Sequence, residues 1–138
     1  MLIDDITVGK KIQFNTYGSM GGRTSVIGQV VGENIGSIVP EANKMRAYHA
    51  SIYQQLPEDI KQVVSQDYRR LKFFTIVTQK QEVVYVAEPW IMESTLQEVS
   101  LSSDVINVTN WDKSKITETD LRQLLGQFGI VVTSIVQE

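Results

Sequence analysis

Alternating apolar and polar side chains in the first forty residues predict a series of short β-strands. Residues 6–17 place Ile12 and Phe14 two positions apart, which is the period of a strand with one buried face. Residues 24–31 predict a second strand, and residues 35–39 predict a short third one. Glycine-rich segments separate these runs, so we predict an antiparallel meander.

A helical period replaces this pattern after Pro40. Apolar side chains recur every three or four residues from Met45 to Ile52, which predicts an amphipathic helix. Pro57 suits the first position of a second helix, because a helix needs no backbone N–H there. We therefore predict a helical hairpin inserted over residues 41–71.

Strand-forming residues return in the second half of the chain. Residues 73–86 are rich in β-branched and aromatic side chains, and the polar break at residues 79–82 predicts a hairpin. Thr117 and Asp120 have the spacing of a capping box that opens a helix. We predict one α+β domain with these parts: a β-barrel core over residues 4–39 and 73–110, the helical insert over 41–71, and a C-terminal helix and strand over 117–136.

Composition narrows the chemistry that the chain can perform. The 138 residues suit a single core, and the absence of cysteine excludes disulfides, thiolate metal sites and cysteine nucleophiles. His49 is the only histidine and lies on the predicted helix without a recognisable partner, so we expect a structural role for it. Because no nucleophile–base pair, metal cluster or cofactor loop is recognisable, we expect no enzyme activity, cofactor, metal or small-molecule substrate.

Net charge and hydropathy give two further expectations. The formal net charge is −3 with a pI near 5.2, which excludes a generally basic nucleic-acid coat and a polybasic membrane anchor. No apolar run approaches the roughly 20 residues of a membrane span, and the first residues do not resemble a secretion signal. We expect no membrane partner and a reducing interior as the place of folding.

Charge is divided unevenly between two parts of the chain. Residues 44–81 hold seven Lys or Arg and three Asp or Glu, whereas residues 82–138 hold three and nine. Complementary charges orient protein partners, and repeated contact between two different patches forms rings or helical arrays. The alternative is that both regions are merely solvated. Under the first interpretation, cations of the insert meet acidic groups on a neighbouring subunit.

Tyrosines on the basic insert would supply most of the affinity for such a partner. Tyr48 and Tyr53 lie on the predicted helix, and tyrosine is enriched at protein interfaces. Charge pairs at the rim would contribute mainly orientation. The interface candidates are Lys44, Arg46, Tyr48, Tyr53, Arg69, Arg70 and Lys72 in the insert, and Asp112, Glu118 and Asp120 in the acidic part.

The strand segments resemble a known family of viral proteins. The segment Val8-Gly-Lys-Lys-Ile-Gln-Phe, followed by Val26-Ile-Gly-Gln-Val-Val-Gly, is similar to the opening of many SH3-like barrels. With its hairpin and helical insert, the chain resembles the SH3-like β-barrel structural proteins of tailed bacteriophages. This resemblance implies a non-enzymatic virion component of head, neck, tail or baseplate, assembled in the cytoplasm of the bacterial host. Its partners would be other virion proteins or copies of itself.

A nucleic-acid-binding barrel of the KOW type is the alternative from a different functional class. Small barrels of this kind also bind RNA or DNA, and the insert is basic. The acidic pI and the acidic last third count against this alternative. Its contact residues would be Lys44, Arg46, Lys61, Arg69, Arg70 and Lys72.

Overall fold

A single antiparallel sheet dominates the described part of the chain. The structure is a computed structural model, and it describes residues 1–99 together with residues 117, 119, 120 and 123. Within residues 1–99, five strands form a sheet in the order β4-β3-β2-β1-β5. The strands are β1 Lys11–Met20, β2 Arg23–Ile35, β3 Lys72–Thr78, β4 Val83–Ala87 and β5 Ile91–Glu98; the helices are α1 Ala42–Tyr53 and α2 Glu58–Lys61. Single turns of 3₁₀ helix cover Ile3–Asp5, Gly36–Ile38, Tyr68–Arg70 and Glu88–Trp90.

The first hairpin confirms the alternation found in the sequence. Ile12 and Phe14 of β1 are fully buried, and their neighbours along the strand are not. β1 and β2 are joined at Gly21 and Gly22, whose φ angles of 60° and 86° suit glycine. Further along β2, Gly28 allows a close strand approach, because a Cβ there would lie 2.3 Å from the carbonyl oxygen of Val77.

β2 is longer than the pattern predicted. Its pairing with β3 runs past a β-bulge at Val31 and continues to Ile35, opposite Lys72. The predicted third strand over residues 35–39 is therefore wrong, because Gly36–Ile38 is a 3₁₀ turn. The bulge absorbs one extra residue and lets the long-range pairing continue where the local sequence indicated a turn.

The second hairpin is confirmed, but the sheet does not close into a barrel. β3 and β4 pair from Phe73 opposite Ala87 to Val77 opposite Val83. The 3₁₀ turn Glu88–Trp90 then leads into β5, which pairs with β1. β4 and β5 form the two edges of the sheet within residues 1–99. The predicted barrel is thus an unclosed five-stranded sheet in the described part of the chain.

The helical insert differs from the predicted hairpin. α1 is present, but α2 has only four residues, so a second helix reaching residue 71 is wrong. Ser65 Oγ accepts the N–H of Asp67 at 3.1 Å, and Asp67 Oδ1 accepts the N–H of Arg69 at 3.0 Å. The second of these hydrogen bonds caps the separate 3₁₀ turn Tyr68–Arg70, so short local structures replace a continuous helix here.

The core lies between the sheet and the insert. Trp90, Phe14, Phe73 and Phe74 are the largest fully buried side chains, and α1 adds Met45 and Ile52 to the same cluster. α1 packs closely on β1 at Gly18, where a Cβ would lie 2.8 Å from Ile52 Cγ1.

The predicted C-terminal elements fall mainly outside the described residues. The strand segment 105–110 and most of residues 117–136 are not among them. Residues 119, 120 and 123 are helical, and the Asp120 N–H donates to Thr117 Oγ1 at 3.2 Å. This hydrogen bond is the N-cap interaction that the Thr117 spacing indicated.

Candidate interaction surface

His49 fixes the insert to the sheet from inside the core. Its side chain is 2 % exposed, and both ring nitrogens have partners. Trp90 Nε1 donates to His49 Nδ1 at 3.1 Å, and His49 Nε2 lies 2.8 Å from the Ser65 carbonyl oxygen. The imidazole therefore joins α1, the chain after α2 and the β4–β5 connection. This is the structural role that the sequence indicated for His49.

The two tyrosines proposed as interface anchors make contacts within the chain. Tyr48 is half-buried and meets the Trp90 ring edge-on, with centroids 6.4 Å apart. The Tyr53 hydroxyl donates to the Lys61 carbonyl oxygen at 3.1 Å. Tyr48 thus packs the insert on the core, and Tyr53 connects α1 to α2. Only part of each ring is open to a partner.

Three of the candidate cations also have contacts within the chain. Lys72 Nζ lies 2.6 Å from Glu33 Oε1 and 3.5 Å from Glu88 Oε2, and its hydrogen bond to Glu33 raises the pKa of Lys72. Lys44 lies 3.7 Å from a Glu41 carboxylate oxygen. Lys61 lies over the ring of Tyr53 at 5.6 Å. These three ammonium groups therefore already have partners within the chain.

Arg69 is held in place by the carboxylate of Asp67. Arg69 Nε donates to Asp67 Oδ1 at 3.0 Å, and Arg69 Nη2 donates to Oδ2 at 2.9 Å. These hydrogen bonds lower the pKa of Asp67 from its ordinary 3.8 to about 2. Asp67 therefore stays ionised near neutral pH and keeps the guanidinium of Arg69 in one orientation.

A groove beside this pair is lined by a second arginine, Arg46. Its volume is about 420 Å³, and its lining residues are Arg46, His49, Ala50, Gln66, Asp67, Tyr68 and Arg69. Arg46 and Arg70 are exposed, and within the described residues neither has a carboxylate within 4.0 Å. We call Arg46, Arg69 and Arg70 the basic face.

Two exposed isoleucines lie beside the 3₁₀ turn that carries Arg69 and Arg70. Ile35 and Ile38 are 51 % and 66 % exposed, and we call them the isoleucine pair. Gly36 lies between them, and a Cβ there would lie 2.0 Å from the Tyr68 carbonyl oxygen. The Gly36 N–H also donates to the Leu71 carbonyl oxygen at 2.7 Å. The turn that carries Ile38 therefore packs directly against the turn that carries Arg69 and Arg70.

The acidic half of the predicted interface is only partly described. Asp112 and Glu118 lie outside the described residues, and Asp120 is exposed. The contact between Arg69, Arg70 and acidic groups of a second copy stays a prediction. Sequence reasoning missed the isoleucine pair, because the apolar residues of 35–39 predict a short strand and not a turn. The available signal was Gly36 between two isoleucines just before Pro40, a spacing that also suits a turn.

The groups on this surface can bind anionic and apolar partners. Guanidinium groups donate several hydrogen bonds to a carboxylate or phosphate, and exposed isoleucines bury apolar area against a partner. Among residues 1–99 and the four described beyond them, no cluster of three or more His, Asp or Glu could hold a metal ion. None of the helices in that part of the chain is long and apolar enough to span a membrane.

Comparison with known proteins gives one match. A family model described as an SH3 fold domain associated with phage DNA polymerases matches residues 6–131. No curated protein and no solved structure matches the chain. The match supports the expected SH3-like fold and the expected phage origin. It names DNA polymerases and not the virion, so the expected structural role in a phage particle is wrong.

Proposed function

Because the chain belongs to the family of SH3 fold domains associated with phage DNA polymerases, we propose that it is a protein-binding module of phage DNA replication. Its partner in this proposal is the DNA polymerase of the same phage. The observation that carries the proposal is the family match over residues 6–131. The place of action would be the cytoplasm of the infected host, where the polymerase works.

The structure supports binding rather than catalysis as the task of this domain. The only histidine of the chain is buried, and both of its ring nitrogens are engaged by partners within the chain, which leaves neither nitrogen for a substrate. The basic face lies on the insert, the isoleucine pair lies just before it in the chain, and both are exposed. The insert is fixed to the core through His49. A fixed surface loses little conformational entropy when a partner binds.

A protein partner also fits the charges better than DNA does. Of the six cations considered for nucleic acid, Lys44 and Lys72 form ion pairs within the chain, and Lys61 lies over a tyrosine ring. The three cations of the basic face remain, beside the carboxylate of Asp67. Few phosphate contacts give weak and salt-sensitive DNA binding.

The direct test is complex formation with the purified DNA polymerase of the same phage. Size-exclusion chromatography with light scattering should show a stoichiometric complex, and calorimetry should give a saturable isotherm at 150 mM salt. The bacterial host's own DNA polymerase is the matched control and should not bind. Absence of a complex with the phage polymerase at micromolar concentrations would refute the proposed partner.

A further inference from the structure

We infer that the basic face and the isoleucine pair together form the docking site for the polymerase, and that the site takes an acidic segment carrying an apolar side chain. This inference rests on the proposed function. It adds the surface used and the chemistry of the partner.

Gly36 is the residue that makes one surface from two parts of the chain. The lack of a side chain lets the Gly36–Ile38 turn rest directly on the backbone of Tyr68. The Gly36 N–H donates to Leu71 just after the turn that carries Arg69 and Arg70. The two short segments that carry Ile38 and the arginines Arg69 and Arg70 are thus held against each other by backbone contacts.

The basic face has N–H donors that are available to bind carboxylates. Asp67 binds Arg69 through Nε and Nη2, and Nη1 makes no hydrogen bond within the described residues. Within the described residues, Arg46, which lines the groove, and Arg70, which follows Arg69, form no ion pair. Each guanidinium keeps N–H groups available for a carboxylate, and the hydrogen bonds to Asp67 orient that of Arg69.

The exposed isoleucines distinguish a peptide from a nucleic acid. A phosphate backbone presents charge and no large apolar side chain, so it would leave Ile35 and Ile38 uncovered. A peptide with Asp or Glu on either side of a Leu, Ile or Phe would satisfy both parts of the surface. The chain's own net charge of −3 also opposes long-range attraction to DNA.

Single substitutions on this surface test the inference in the calorimetric assay with the phage polymerase. Arg46→Glu and Arg70→Glu should each weaken binding at least tenfold, and Ile38→Ser should weaken it at least fivefold. The matched controls are Lys80→Glu, an exposed cation in the β3–β4 turn, and Leu2→Ser, an exposed apolar residue near the N-terminus. Both controls should stay within twofold of the parent. Circular dichroism and thermal melting should show that every variant folds.

A photo-crosslinking amino acid at position 38 identifies the occupant. Ultraviolet irradiation of the complex, followed by mass spectrometry, should identify a polymerase peptide that contains Asp or Glu near an apolar residue. A crosslinked peptide without acidic residues would overturn the inference.

The outcomes separate this inference from the function on which it rests. If the parent binds the polymerase and the three surface variants bind equally well, the docking site is wrong and the proposed function stands. If the parent does not bind, the proposed function fails and the docking site fails with it.

A third measurement tests DNA as the ligand, with a fluorescein-labelled 20-base-pair duplex at 150 mM salt. Saturable duplex binding that Arg46→Glu abolishes, with polymerase binding unchanged, would make the surface a DNA site.

Discussion

The indole N–H of Trp90 donates to Nδ1 of His49 at 3.1 Å, and the planes of the two rings differ by 21°. Because Nδ1 accepts this hydrogen bond, the proton of the neutral imidazole belongs on Nε2, which donates to the Ser65 carbonyl oxygen. His49 lies in α1, and Trp90 lies 41 residues later, between β4 and β5. This one contact therefore connects the insert with both edges of the sheet.

A double-mutant cycle measures the strength of that connection. His49→Phe and Trp90→Phe should each lower the free energy of unfolding by at least about 1 kcal/mol, because each leaves a buried polar group without its partner. The double variant should lose less than the two single losses combined, with a coupling energy of about 0.5–3 kcal/mol. Urea denaturation gives all four values. Strictly additive losses would show that the hydrogen bond contributes nothing to stability.

Gly36→Ala should damage both stability and binding. The new Cβ would meet the Tyr68 carbonyl oxygen, so the turns that carry the isoleucine pair and the basic face must move apart. We expect a loss of about 1–3 kcal/mol in unfolding free energy, typical of overpacking, and weaker polymerase binding. Ser37→Ala, at the exposed neighbouring position, is the control and should change stability by less than about 0.5 kcal/mol. Unchanged binding by folded Gly36→Ala would argue against the single surface.

The carboxyl group of Asp67 should titrate near pH 2. Hydrogen bonds from Arg69 lower its pKa from 3.8 to about 2, so the folded state favours the ionised form. The resulting stabilisation is fully present above pH 3.8 and disappears as the pH falls through about 2. Carbon-detected NMR of the side-chain carboxyl measures this pKa directly. In Arg69→Gln the pKa should return towards 3.8, and a value near 2 in that variant would assign the shift to another cause.

Lys72→Met tests whether a lysine that forms ion pairs within the chain also contributes to polymerase binding. Lys72 is paired with Glu33 and Glu88, and its ammonium lies 5.2 Å from the centroid of the Phe74 ring. Because these groups are partly solvated, the substitution should cost at most about 1 kcal/mol of unfolding free energy. Lys72 lies opposite Ile35 in the sheet, but Glu33 and Glu88 already bind its ammonium, so polymerase affinity should fall much less than in Arg46→Glu. A tenfold loss would extend the docking site to Lys72.

The strands were predictable because their signal is local. The alternation at Ile12 and Phe14 and the β-branched run before residue 79 are decided by neighbouring residues, and the hairpins follow from them. The end of β2 was not predictable in the same way. Gly32 indicated a turn, and only pairing with the distant β3, through the bulge at Val31, keeps the strand extended.

The candidate surface depends on contacts that the sequence does not display. Apolar periodicity predicted a long second helix, but α2 ends at Lys61, and the Asp67 side chain caps a separate 3₁₀ turn at Tyr68–Arg70. The sequence also does not show which cations remain available to a binding partner. Lys72 meets Glu33 only because β2 and β3 are neighbours, whereas Arg46 and Arg70 were named in advance and are exposed.

The pairing of Ile35 with Lys72 closes residues 36–71 into a loop between two hairpins that are each local in sequence. We expect the hairpins to form early and their joining along β2 and β3 to be the slower event, because it must overcome loop-closure entropy. That entropy grows only logarithmically, by about 0.6 kcal/mol for each doubling of loop length. The segment that carries the docking surface can therefore lengthen or shorten during evolution while the strands on either side keep their register.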